Sequence, residues 1–157
     1  MIIGVSGHQH LPTAARAHAE RDIRVLFDRQ TEPAVGMSSL AAGADQLFAQ
    51  VVLGAGCALH AVIPAADYEH TLTGAAQDNY RRLLIASAQV TRLDFEHAGE
   101  TAYYSAGRFI VDHCDLLVAV WDGEPARGLG GTADVVAKAR EVGREVLVVW
   151  PQGVRRQ

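Results

Sequence analysis

The chain has 157 residues, of which 49% are hydrophobic and 20% charged, and a formal net charge of −4. This is the length of one ordinary domain with enough apolar content for a single core, and it carries no global basic footprint for duplex nucleic acid or an anionic membrane. No run approaches the roughly 18 apolar residues of a membrane span, Met1-Ile2-Ile3-Gly4 is no secretory leader, and Cys57 and Cys114 stand in no metal or redox spacing. The reading is one cytoplasmic domain with two buried thiols.

Met1 to Val5 is an apolar, β-branched run that predicts a buried first strand, with Ser6-Gly7-His8 as the loop after it. Pro12 suits a first helical turn, and Leu11, Ala15, Ala19, Ile23, Leu26 and Phe27 recur at helical spacing. Ala34 to Met37 predicts a second strand, and Leu40, Leu47, Phe48, Val51 and Val52 mark a helix closed by Gly54 and Gly56. Cys57 to Ile63 reads as a third strand stopped by Pro64, Tyr68 to Gly74 as irregular, Gln77 to Ser87 as a helix and Gln89 to Leu93 as a fourth strand. Thr101 to His113 is a helix in which Tyr103, Gly107, Ile110 and Cys114 share a face, with Gly107 admitting a close neighbour. Leu116 to Trp121 is apolar throughout, as in strands buried on both faces of a parallel sheet. A glycine loop, a helix from Asp134 to Val142 and a strand from Val146 to Trp150 complete the pattern. Strand and helix alternate, which predicts a three-layer α/β/α Rossmann-like sandwich with a mostly parallel sheet of about six strands.

Ligands of such sheets bind at the carboxyl ends of the strands, where strand order reverses. The loops at that edge are unusual. Gly128-Leu129-Gly130-Gly131-Thr132-Ala133-Asp134 would let backbone N–H groups approach an anion and would aim a helix N-terminus at it. Ser6 and Gly7 offer a hydroxyl and a close N–H, and His8 a further donor. Asp45 begins its helix, where a carboxylate meets the dipole favourably or accepts from a ribose hydroxyl or a neighbouring loop, and Asp122-Gly123 is either a turn or a sugar or base contact. Thr132 and Asp134 are compatible with ordinary helix-start chemistry as well as with a ligand. Trp121 reads as core before it reads as a base-stacking ring. His8, Gln9 and His10 have no carboxylate or cysteine at ligand spacing, so no metal and no resident cofactor are expected. Arg155 and Arg156 read as a solvated basic end.

Taken together, Gly4-Val5-Ser6-Gly7-His8, Ser38-Ser39-Leu40 with Gly43-Ala44-Asp45, Cys114-Asp115-Leu116-Leu117 leading to Trp121-Asp122-Gly123, and Gly128 to Asp134 resemble the SLOG superfamily over nearly the whole chain. That group takes its name from the Smf and LOG proteins. The resemblance implies a nucleotide-binding Rossmann-like domain, commonly dimeric, that senses nucleotide-derived ligands or, in the LOG branch, cleaves the N-glycosidic bond of a nucleoside 5′-monophosphate. The implied ligand set is Ser6, Gly7, His8, Ser38, Ser39, Gly43, Asp45, Asp122, Gly130, Gly131, Thr132 and Asp134. Its implied partners are a nucleotide-derived small molecule and a second copy of the chain, without duplex nucleic acid or membrane.

Three departures bear on the choice of branch. Val135 stands where LOG enzymes carry glutamate, Ala106 where they carry arginine, and Gln9 where many SLOG proteins carry an arginine after the first-loop histidine. Asp134, about 100° around the helix from Val135, is the weak substitute for the missing carboxylate. Binding is therefore the first reading. Glycosidic hydrolysis or transfer, and a ligand-free module dimerising through the Tyr103, Gly107 and Ile110 face, are the alternatives.

Overall fold

The computed structural model describes residues 1–125 and 131–156. Six strands, β1 (Ile2–Gly7), β2 (Val35–Ser38), β3 (Ala58–Ile63), β4 (Gln89–Arg92), β5 (Leu116–Val120) and β6 (Glu145–Val148), alternate with helices α1 (Thr13–Asp28), α2 (Ala44–Gly54), α3 (Gly74–Ala86), α4 (Glu100–His113) and α5 (Thr132–Glu141). The sheet is parallel throughout, in the order β4-β3-β2-β1-β5-β6. Helices α1 and α2 pack on one face, α4 and α5 on the other. The predicted sandwich is present.

The period-2 pattern of the strands sorts their side chains between these layers. In β5, Leu116, Val118 and Val120 enter the core shared with α1 and α2, whereas Leu117 and Ala119 join the one beneath α4 and α5. Every residue of β5 is buried, as its unbroken apolar run requires, and the edge strands β4 and β6 are largely exposed. Two glycines set the helix heights. A Cβ on Gly4 would lie 2.3 Å from Ile110 Cγ2, so α4 sits directly on β1, and one on Gly107 would lie 2.7 Å from Val135 Cγ2 where α4 meets α5.

The local boundaries differ in three informative places. Ser6 and Gly7 belong to β1 rather than to a loop, because Gly7 still pairs with Val120. The segment read as irregular contains a 3-10 turn, Tyr68–Thr71, whose Tyr68 ring is buried against Tyr80 and Tyr103. The face of α4 bearing Gly107 and Ile110 is spent inside the chain, against β1 and α5. It is not free for a second copy.

Candidate functional site

Strand order reverses between β1 and β5, since β1 connects through α1 to β2 on one side and pairs with β5 on the other. The carboxyl ends of these two strands open into a cleft of about 530 Å³, within the roughly 300–1,000 Å³ typical of small-molecule sites. It is lined by Ser6 and Gly7 of β1, by Gly131 with Thr132 and Val135 of α5, by Ser39 and Asp45 at the start of α2, and by Tyr68 and by Tyr103 of α4. Helices α2 and α5 both start here, and glycine precedes each without a side-chain hydrogen bond to the first turn. Two positive helix ends thus converge on one cavity.

On one side the cleft meets a charged cluster. His8, 8% exposed, places Nε2 3.2 Å from Asp122 Oδ1, and Arg156 Nη1 lies 3.4 Å from His8 Nδ1. A guanidinium only donates, so Nδ1 accepts and the ring proton sits on Nε2, facing the carboxylate. The Asp122 N–H, 3.3 Å from the same Nε2, is then a close contact rather than a bond. Arg156 Nε approaches Asp122 Oδ2 to 3.3 Å, and Nη2 donates to the Pro125 carbonyl. Burial pushes the Asp122 carboxyl up, but the Glu124 N–H, His8 and Arg156 outweigh it and hold it below the usual range. The segment after β6 is turned back over the sheet edge by Trp150, whose Nε1 donates to the Val154 carbonyl at 2.7 Å and whose ring meets His8 edge-on. Arg156 is therefore a lining residue of the cleft and not a solvated end.

On the α2 side Asp45 is 9% exposed, and its carboxylate accepts one long hydrogen bond, from the Ala41 N–H at 3.4 Å. Burial pushes its pKa up to about 7, with the Ala41 N–H opposing. Tyr68, itself buried, has its phenol raised well above 10 by burial and then by the Asp45 charge. Its ring meets that of Tyr103 at 6.1 Å, and both line the cleft.

Of the residues picked out in the sequence, Ser6, Gly7, His8, Ser39, Asp45, Gly131 and Thr132 come together around this cavity. The others lie elsewhere. Ser38 is fully buried, donating to the Asp45 carbonyl and accepting from the Leu40 N–H, so its hydroxyl builds the turn into α2. Gly43, at φ +82°, lets that turn pass against the backbone of His8 and Gln9, where a Cβ would come within 2.3 Å of the Gln9 carbonyl. Asp122 serves the His8–Arg156 cluster, and Asp134 is not among the lining residues. Gly128, Leu129 and Gly130 fall outside the described residues. Trp121 packs partly against the core, donates to the Glu124 carbonyl and carries Arg140 over its ring at 5.9 Å. Val135, 3% exposed, presents an apolar side chain where the LOG resemblance would put glutamate. Sequence reasoning missed Tyr68, Tyr103 and Arg156 as cleft residues, although Tyr68 follows the carboxyl end of β3, where lining residues are to be sought.

No protein-family model and no curated protein matches the sequence. Solved structures do. The chain superposes on DNA processing protein A (DprA) of Streptococcus pneumoniae with a TM-score of 0.70 at 21% identity, over 93% of this chain and 49% of that one. It thus spans about half the length of that protein. It superposes on the Helicobacter pylori DNA processing protein A, described with a single-stranded DNA binding mode, at TM-score 0.69 and 15% identity, over 100% of this chain and 68% of that one. The Moco carrier protein of Chlamydomonas reinhardtii gives 0.57 at 17% identity, over 94% and 74%. The chain shares the fold of these proteins. Its order of strands, glycine turns and helices is the one that the sequence motifs had suggested.

One expectation is corrected by these neighbours. The partner set read from the sequence, a nucleotide-derived small molecule and a second copy without duplex nucleic acid or membrane, is not what they display: the same fold is described with a single-stranded DNA binding mode in the H. pylori protein and as a molybdenum cofactor carrier in the C. reinhardtii one. Among the described residues no helix is long and apolar enough to cross a membrane.

Proposed function

We propose that this chain is a binding module whose β1/β5 cleft takes a nucleotide unit, with phosphate at the α5 end. The supporting observation is the convergence of Gly7, the α5 N-terminus at Gly131-Thr132 and the Arg156 guanidinium on one cavity. Backbone N–H groups and a helix dipole recognise phosphate without side-chain charge, and Arg156 supplies the fixed cation that Gln9 does not. The site binds rather than cleaves, because its wall at the α5 end is Val135 and an apolar side chain can neither donate a proton nor stabilise an oxocarbenium ion.

Calorimetric titration with mono-, di- and triphosphates of the four ribonucleosides, inorganic phosphate and a 12-nucleotide single strand tests this. At least one phosphorylated nucleoside, free or within the strand, is expected to bind, and Arg156→Ala to weaken it roughly ten-fold, the order of one charge-assisted contact. Absence of heat from every phosphorylated probe at millimolar concentration would refute the reading. Release of free base, abolished in Asp134→Ala, would restore the enzymatic alternative.

A further inference from the structure

The α2 side of the cleft has its own chemistry. Asp45 is nine-tenths buried, lines the cavity and accepts only the long Ala41 N–H bond on Oδ2, which leaves Oδ1 without a protein partner among the described residues. A carboxylate held out of water with open acceptor sites is costly unless a ligand fills them. Among the described residues, Arg156 is the only lysine or arginine that lines this cavity, and it is engaged by Asp122 and His8. A metal ion is no better match, since the described residues contain no group of three or more histidine, cysteine or acidic side chains that could hold one. Two aromatic rings, Tyr68 and Tyr103, meet edge-to-face at 66° and both border the cavity, offering apolar surface to a heterocycle.

Resting on the nucleotide reading above, we infer that Asp45 with Tyr68 and Tyr103 is a base-selecting subsite for a 2-amino-4-oxopyrimidine edge, the edge that guanine shares with pterins. That edge presents two adjacent donors, a ring N–H and an exocyclic amine, which match the two oxygens of one carboxylate. Adenine and cytosine present a donor beside an acceptor there, and the acceptor would face a carboxylate oxygen. Hypoxanthine keeps the ring N–H and lacks the amine. The subsite therefore ranks guanine above hypoxanthine and hypoxanthine above adenine, and the low exposure of Asp45 makes a mismatch expensive because no water replaces the lost donor.

The test, at pH 8 where the Asp45 carboxyl is ionised, titrates wild type and Asp45→Asn with GMP, IMP and AMP, and wild type also with 6-hydroxymethylpterin and guanosine, with folding of the variant checked by circular dichroism. Wild type is expected to bind GMP ten- to a hundred-fold more tightly than AMP, with IMP between them, and Asp45→Asn to lose that ranking while retaining dependence on Arg156. As a control against a folding defect in Asp45→Asn, Tyr103→Leu serves as a second variant, expected to weaken all three nucleotides and to keep their order. Pterin binding that exceeds guanosine binding would assign the edge to a pterin, and the reverse to a guanine nucleotide. Equal affinity for GMP and AMP at an Arg156-dependent site would overturn this inference and leave the nucleotide reading intact, whereas no binding by any nucleotide would overturn both.

Discussion

Replacing Asp45 by asparagine removes a buried charge and keeps the shape of the side chain, so it measures what that charge costs the fold. The carboxyl rises from an ordinary 3.8 to about 7. At about 1.4 kcal/mol per unit, this amounts to at most about 4 kcal/mol, with the positive end of α2 opposing it. The sign follows from which state keeps the proton. Between about pH 4 and pH 7 the unfolded chain releases it and the native chain holds it, so wild-type stability falls with rising pH across that window and levels off above it. About 2.5 kcal/mol of the loss lies between pH 5 and pH 8. The asparagine amide does not titrate, so the stability of Asp45→Asn relative to wild type is expected to rise by roughly that amount over this interval. Urea unfolding of both proteins at pH 5, 6, 7 and 8 reads the difference, in which the other ionisable groups cancel. Parallel profiles would show that the Asp45 carboxyl ionises as it does in water, and would remove the argument that it waits for a donor.

Three other outcomes follow from the packing. Gly43→Ala forces a left-handed residue and sets a Cβ against the Gln9 and His8 carbonyls, so it is expected to cost about 2 kcal/mol or more, read by the urea midpoint; a loss below about 0.5 kcal/mol would mean that the turn relaxes freely. Gly107→Ala drives a methyl into the branched, stiff side chain of Val135 and is expected to cost about 1–3 kcal/mol, whereas unchanged stability would show that α4 and α5 are not in close contact. Of the two free thiols, Cys114 is 2% exposed and its thiol is pushed up by burial, while Cys57 is partly exposed. Native protein should therefore react with an aromatic disulfide reagent first at Cys57. Cys114 should follow only at the rate of unfolding, and equal rates would contradict its burial.

The parts of this molecule that repeat were legible in its sequence, and the parts that do not repeat were not. Leu116–Val120 could be read as a strand buried on both faces because every position is apolar, and Ile23 and Phe27 as core because they recur one helical turn apart. The edge of the sheet that carries the cleft followed from the order of the strands. Within that edge, sequence could not tell a hydroxyl that faces a cavity from one that closes a turn. Ser39 lines the cleft while Ser38, one residue earlier, is consumed by the backbone of Leu40 and Asp45. Arg156 gave no signal at all, since it reaches His8 across 148 residues through a turn that depends on the Trp150 bond to Val154. Tyr103 carried a helical-spacing signal that describes packing against the core equally well, and its ring meets Tyr68 of the turn at Tyr68–Thr71.

The central claim, that the β1/β5 cleft receives a nucleotide with its phosphate on α5 and its base beside Asp45, is tested most directly by amide shifts. Titrating isotopically labelled protein with GMP should move the N–H resonances of Gly7, Thr132 and Ala133 as one group and of Ala41 and Tyr103 as another, with inorganic phosphate moving only the first group. Shifts confined to the outer face of α1 or α3, or none up to millimolar GMP, would contradict it.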